Sequence, residues 1–494
     1  MLATPKYLIE KIIKRLFIPC VCLAFFACTK DFLEVPREAQ QPAEEFFVNQ
    51  QDAVEAVNKM YAHQTGFDLV GFPHLAIFQL TSDDSDKGSN PGDAAFLNDY
   101  VNFTFSSTAF SIDGYWTGQY QGINYANQVL ANIPAIPMDD NLKARLLAEA
   151  QFFRAFHYFN LVRVFGGVPI YEGLPEGSIE EREYNIPRNS VDEVYELITT
   201  DFTQAAENLP ITYGATEIGR ATKGAATGFL AKVALYREDF TQAVTLTDEV
   251  AGMGYDLFPD YYQFFRPANE YNVESLFEIQ STADGNCESA SQYGQVQGVR
   301  GQFGFGFNFP TEDLVNAYEE GDVRRDATIL FVGETTPEGD LITAGDNPDN
   351  PIRYNQKVYV PEASFRRNNC VDNADINIKV LRYAEILLIN AEANNELGNT
   401  AAALVSLNRV RERAGLEAVT VTDQGQLRDA IWRERRVELA LEGDRFFDLV
   451  RQGRAAEVLQ ASGTQFTAGV NEILPIPANQ ISLSQGVLEQ NPGY

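Results

Sequence analysis

Two stretches of the chain repeat one another at an offset of 160 residues, and an internal repeat constrains a fold more tightly than any single element does. Ala231 lies over Ala391, Asp239 over Asn399, Ala243-Val244 over Ala403-Leu404, and Val250 over Val410. In each copy the apolar spacing predicts a helix that ends, turns within a few residues and returns as a second helix. Small residues at the crossing points let the paired helices approach closely. Glu238 stands in the first turn where Gly398 stands in the second, so the first copy departs from the glycine expected at such a turn.

The span of about 34 residues resembles the tetratricopeptide unit, whose helix pairs stack into a curved right-handed array. Helical periodicity also runs through Ala148 to Val164, Val191 to Leu209, Lys223 to Tyr236, Phe240 to Ala251, Leu381 to Leu397, Ala401 to Ala414 and Leu427 to Glu442. The first of these carries Phe152, Phe156 and Phe159 on one face and stops at Gly166-Gly167. Strand-like alternation is sparse. Long irregular stretches separate the helical blocks: Gly66 to Gly114, Ile170 to Arg188, Gln280 to Pro310 and Gly333 to Asn377. The expected fold is mainly α, a tetratricopeptide-like helical repeat body with long irregular loops and few short strands. Loops of that length usually carry function.

Composition narrows the partners. The 494 residues include 34 Phe, 22 Tyr and 2 Trp, enough apolar surface to offset chain entropy, so a disordered polymer is excluded. With 38 Lys+Arg against 69 Asp+Glu the formal charge is −31. That field argues against nucleic acid and other polyanions, whose binders need cations to displace counterions.

Lys6, Lys11, Lys14 and Arg15 precede an uncharged run of 12 residues, Leu16 to Ala27, that ends at Cys28. The run is shorter than the ~20 residues a membrane helix needs and reads as an export signal over residues 1–27. Phe25-Phe26-Ala27 before Cys28 resembles the lipobox of bacterial lipoproteins, so Cys28 is the expected lipidation site. An ordinary secretory leader is the alternative. After cleavage only Cys287 and Cys370 remain in the body; they form one disulfide or stay two buried thiols.

Catalytic signatures are missing. The three histidines, His63, His74 and His157, make no HExxH motif, and no GxSxG, Walker A or complete GxGxxG occurs, since Phe309 stands where the third glycine would follow Gly304-Phe305-Gly306. Asp83 to Gly88 fails as a calcium loop because Lys87 takes a ligand position. His157, on the aromatic helix, reads as a packed core residue. Glu434, Glu438 and Glu442, with Arg435 and Arg445 nearby, read as a salt-bridge ladder along one helix face and not as a catalytic acid pair. No metal, cofactor or enzymatic activity is expected.

Five segments of the C-terminal half, LRYAEILLINAEANNELG from Leu381, LNRVRERAGL from Leu407, IWRERRVELALEGDRFFDLVRQGR from Ile431, LPIPA from Leu474 and the final QNPGY, together closely resemble the SusD/RagB family. In the N-terminal half CTKDFLEVP from Cys28, EAQFFRAFHYFNLVRVFGGVP from Glu149 and ATKGAATGFLAKVALY from Ala221 resemble that family's first domain. The resemblance implies an outer-membrane lipoprotein facing the cell exterior, with residues 28–270 and 271–494 as its two domains. It implies a binding protein that captures an oligosaccharide and delivers it to a TonB-dependent transporter of the SusC type. A peptide ligand, as for RagB, is the alternative, and a glycan hydrolase a third and weaker one. Lys30-Asp31 resembles the tag that directs such lipoproteins to the outer surface.

The regions matching the family's ligand contacts are two loops, Ser82 to Tyr100 and Tyr293 to Phe307. In them Tyr293, Phe303 and Phe305 are expected to supply stacking faces, and Asp83, Asp84 and Arg300 to hydrogen-bond ligand hydroxyls. The competing reading has Phe303, Phe305 and Phe307 alternating along a strand with one face in the core. Trp116 resembles a family packing residue and is expected in the core.

Overall fold

A computed structural model describes residues 46–174, 187–282, 290–302, 304–343, 351–362 and 375–494. The long helices in chain order are α1 (Gln50–His63), α2 (Phe110–Asn132), α3 (Asp140–Phe165), α4 (Val191–Asn208), α5 (Lys223–Tyr236), α6 (Phe240–Ala251), α7 (Tyr383–Glu396), α8 (Thr400–Arg413) and α9 (Gln424–Glu438), followed by the two-turn α10 (Arg445–Arg451). Their starts are written in the sequence. Asn49 and Ser190 make reciprocal capping boxes with Asp52 and Glu193, while Asp139, Thr222, Asp239 and Asp423 each accept a backbone N–H of the first turn.

Successive helices pack on one another from α2 to α8, and α9 lies against α7. The 160-residue repeat holds in three dimensions: α5 and α7 are 14 residues each and begin and end at equivalent positions. Asp239 N–H bonds Ala234 O at 2.9 Å in one turn, and Asn399 N–H bonds Asn394 O at 2.8 Å in the other. Glu238 takes the left-handed conformation (φ 57°) that Gly398 takes in the second copy (φ 78°), so the turn geometry prevails over the residue type. The inner helices α5 and α7 are buried nearly all round, whereas α6 and α8 bury one face. Asn390 of α7 donates to Thr247 and Asp248 of α6, joining the two copies directly.

Residues Asn49–Tyr494 pack as one compact unit. Its N-terminal core is aromatic. Phe152 of α3 meets Phe277 at 4.9 Å, and Phe202 of α4 stacks on Phe229 of α5 at 5.2 Å. His157 is buried beside them, with Nδ1 donating to Gln119 Oε1 (2.6 Å) and Nε2 accepting from Gln64 (3.2 Å), so it is a satisfied neutral core residue. Burial holds its pKa well below the usual histidine value. Among the described residues six short strands, β1 (Ser85–Gly88), β2 (Ser275–Ile279), β3 (Phe307–Pro310), β4 (Ile329–Phe331), β5 (Arg353–Asn355) and β6 (Ile378–Arg382), form three antiparallel pairs: β1 with β3, β2 with β6, β4 with β5.

The C-terminal core is ionic. Glu438, fully buried at the end of α9, receives Arg382 from β6, Arg413 from α8 and Arg324 (2.9 Å) from the short helix Arg324–Thr328. Arg382 also reaches Glu274 (2.9 Å) and Glu442 (2.8 Å), and Arg324 reaches Asp322 (2.7 Å) and Glu434 (2.6 Å). The expected ladder along one helix face is therefore corrected. These carboxylates pair with arginines distant in sequence, Glu442 lies beyond the helix, and the network is interior. Burial pushes the Glu438 carboxyl up, but Arg413, Arg382 and Arg324 outweigh it and hold it well below the ordinary glutamate range.

A carboxyl depressed on folding stabilises the native state above its unfolded pKa and loses that contribution as pH falls through the folded value. Glu438→Gln is thus expected to cost about 3–5 kcal/mol at neutral pH, because it leaves buried guanidinium charge uncompensated. The loss of stability below about pH 4.5 should be shallower in the variant than in the parent protein. Urea unfolding across a pH series checks both; equal stability at pH 7 would remove Glu438 from its central role.

Candidate functional site

The β1–β3 pair joins the two loops singled out in the sequence. Ser85 stands opposite Pro310, Asp86 opposite Phe309 and Gly88 opposite Phe307. Only glycine serves at position 88, which has φ 67° and where a Cβ would lie 2.5 Å from Gly306 O. Beyond it the chain turns back at Ser89, whose N–H bonds Gly306 O at 2.6 Å. Arg300 donates to Ser89 Oγ (2.7 Å) and the Phe305 carbonyl (3.2 Å), and pairs with Asp93 (2.7 Å). Lys87 Nζ donates to the carbonyls of Asn90 (2.7 Å) and Asp93 (2.9 Å), which fixes the loop between them. Ser89, Ala94 and Asn308 all have left-handed backbone without being glycine, strain of the kind stored at functional sites.

Beside this clamp runs an aromatic surface. Phe67, Phe72, Phe96 and Phe110 follow one another at centroid separations of 6.2, 6.2 and 4.7 Å, and the buried ring of Phe307 supports Phe72 at 5.2 Å. Phe110 is 50% exposed and Phe67 43%, while Phe72, Phe96 and Phe305 are half-buried. Two exposed and two half-buried rings in one run make an apolar patch that is a candidate binding face. Its rim supplies the partly exposed guanidinium of Arg300 and carboxylate of Asp93, so the patch combines apolar faces with directional hydrogen bonding.

The predicted site residues divide between surface and interior. Arg300 and Phe305 lie at the clamp, as just described. Asp83 and Asp84 do not face solvent: Arg445 holds Asp83 through two hydrogen bonds (2.7 and 2.8 Å), and Arg436 holds Asp84 at 2.8 Å. Burial raises both carboxyls. Arg445 brings Asp83 back below its usual range, whereas Asp84 stays above it despite Arg436. Their geometry gives them the task of fastening the root of β1 to α9 and α10. Tyr293 is buried with its ring edge-on to His74 at 5.6 Å, leaving no face for stacking. Phe307 is interior, in line with one face of the strand facing the core. Phe303, Cys28, Cys287 and Cys370 lie outside the described residues. Trp116 is in the core, 5.0 Å from Phe165.

Phe72, Phe96 and Phe110 were not legible as a set. Phe72 and Phe96 fall in one-turn helices and Phe110 at the first residue of α2, with no common period, and only the tertiary fold assembles them. Among the described residues no group of three or more His, Cys, Asp or Glu is placed to hold a metal, and no helix is long and apolar enough to cross a membrane.

Residues 31–235 match a family model described as "Starch-binding associating with outer membrane", and residues 274–494 match the model of the SusD family. The SusD-like protein P2 of Formosa agariphila is 30% identical over 487 residues, covering 91% of this chain and 94% of that protein. This chain belongs to the SusD family. Another SusD-like protein of Formosa agariphila, P25, is 26% identical and covers 98% of this chain and 99% of its own length. The solved structure of a laminarin binding SusD-like protein superposes with a TM-score of 0.79 at 31% identity, covering 90% of this chain and all of that one. A SusD homolog from Bacteroides thetaiotaomicron, 24% identical, shares the fold with a TM-score of 0.80 over 92% of this chain and all of its own.

Within this SusD-family protein the two kinds of predicted residue are separable by stability. Asp83→Ala is expected to cost about 3–5 kcal/mol, since it strands the Arg445 guanidinium. Arg300→Ala, partly exposed, should cost less than about 1 kcal/mol. Chemical denaturation of the two variants checks the assignment, and a neutral Asp83→Ala would return that residue to the candidate site.

Proposed function

We propose that this SusD-family protein captures neutral oligosaccharide at the Phe72–Phe96–Phe110 surface and delivers it to a TonB-dependent transporter of the SusC type. The observation that carries the reading is the exposed aromatic run beside the Arg300–Asp93–Ser89 clamp. Pyranose rings present apolar faces to such rings and hydroxyls to such a rim. The relative that binds laminarin at 31% identity supports a β-glucan as the ligand class. In this reading lipid on Cys28 holds the protein to the outer membrane on its exterior side. It works by binding and not by bond cleavage, a reading favoured by Glu434 and Glu438 being locked between arginines.

Calorimetry with laminarihexaose, maltohexaose and length-matched peptides tests this. A hexaose is expected to bind, and Phe96→Ala or Phe305→Ala should each weaken it by about 1–3 kcal/mol, roughly tenfold to a hundredfold. Binding of peptides alone would replace the glycan reading with the peptide one, and full affinity in both variants would move the site. Cys28→Ser should leave the protein unprocessed or soluble; membrane attachment of that variant in cells lacking the transporter would refute the anchor.

A further inference from the structure

A second concave surface lies along α2, away from the Arg300 clamp. It is a groove of about 570 Å³, within the range of small-ligand sites. Its floor is the half-buried ring of Tyr120, backed by the core residues Trp116 and Ile123, and Tyr171 and Leu483 of the short helix Ala478–Leu483 also line it. Trp116 and Tyr120 are 4.9 Å apart, and Tyr120 meets Tyr171 edge-to-face at 5.6 Å. The walls are fixed in place: Tyr120 Oη donates to Pro169 O at 2.8 Å, and Asn127 Nδ2 donates to Tyr171 O at 2.9 Å.

Two properties identify what such a groove would take. In a chain of net charge −31, no Asp, Glu, Lys or Arg is among the described residues that line it. Its polar groups are amides and hydroxyls, with Thr117, Gln121 and Asn124 exposed along the lip. Uncharged hydrogen-bonding groups beside aromatic rings match a neutral polyol and offer nothing to an ionic ligand. The exposed face of α2 also connects the two places. Phe110, Thr117, Gln121 and Asn124 recur on one side of the helix, so Asn124 stands about 21 Å along the axis from the exposed Phe110 ring.

We infer that this groove is a second binding site for neutral oligosaccharide, so that a long glycan engages the protein twice along α2. The inference rests on the glycan reading for its ligand class but not on the location of the first site. Two sites on one rigid body raise the affinity for a polymer above that for a short fragment without any new contact.

The test uses the full chain, with laminarihexaose, maltohexaose and laminarin polymer as probes. The expected stoichiometry is two hexaoses per chain. The exposed double variant Gln121→Ala/Asn124→Ala should reduce it to one and weaken polymer binding by about a hundredfold. Leu483→Arg, which places a charge at the exposed wall, should do the same. Circular dichroism of each variant verifies the fold. A stoichiometry of one that neither groove variant changes, with Phe96→Ala still weakening binding, overturns the groove and leaves the first site standing. Groove variants that lose binding while Phe96→Ala and Phe305→Ala do not support the groove and remove the first site. No binding of either hexaose or of the polymer overturns both.

Discussion

One carboxylate, that of Glu438, is shared by arginines arriving from β6, from α8 and from the segment before β4. A buried ion pair is weak evidence for stability on its own, since desolvation offsets the Coulomb gain. A network in which one carboxylate is shared by arginines from three separate elements is different, because it fixes one arrangement of those elements. A second cluster starts from the same helix: Arg435 pairs with Glu385 and Asp448, Lys232 joins Glu385 to Asp444, and Arg163 pairs with Asp444. Arg436 and Arg445 then reach Asp84 and Asp83 at the root of β1. The root of the strand that leads to Ser89 is thus fastened by ion pairs from α9 and α10.

Phenylalanine serves two purposes in this chain. In α3 and its neighbours the rings are interior and fix the packing of α3, α4 and α5 around Phe229 and Phe277. Near β1 the same residue type is left at the surface, supported from below by Phe307. Composition cannot separate the two uses. What separates them is regularity: the interior rings follow helical spacing, and the surface rings do not.

That contrast explains how much could be read beforehand. The 160-residue repeat, the boundaries of α5 and α6 and the core places of His157 and Trp116 were legible because local periodicity and burial agree there. The left-handed Glu238 was legible only as a departure from the pattern. The Glu434, Glu438 and Glu442 spacing suggested partners along one helix, yet their arginines come from positions 324, 382, 411 and 413. Sequence spacing reports neighbours on a helix and is silent on partners brought in by the fold. Asp83 and Asp84 looked like ligand contacts for the same reason, since nothing local announces Arg445 and Arg436.

The direction in which the cations face has a consequence for what reaches the surface at all. Lys232, Arg266, Arg324, Lys357, Arg382 and Arg435 are interior, matched to interior carboxylates, tyrosines or carbonyls. Interior cations and interior acids largely cancel, so the chain's excess of acids is carried by its outer shell. A sulfated or uronate-bearing polymer would meet repulsion while still about one screening length away, roughly 8 Å at physiological salt, and more than that in dilute buffer. Discrimination between neutral and acidic polymers then begins during approach, ahead of any contact with a ring or an amide.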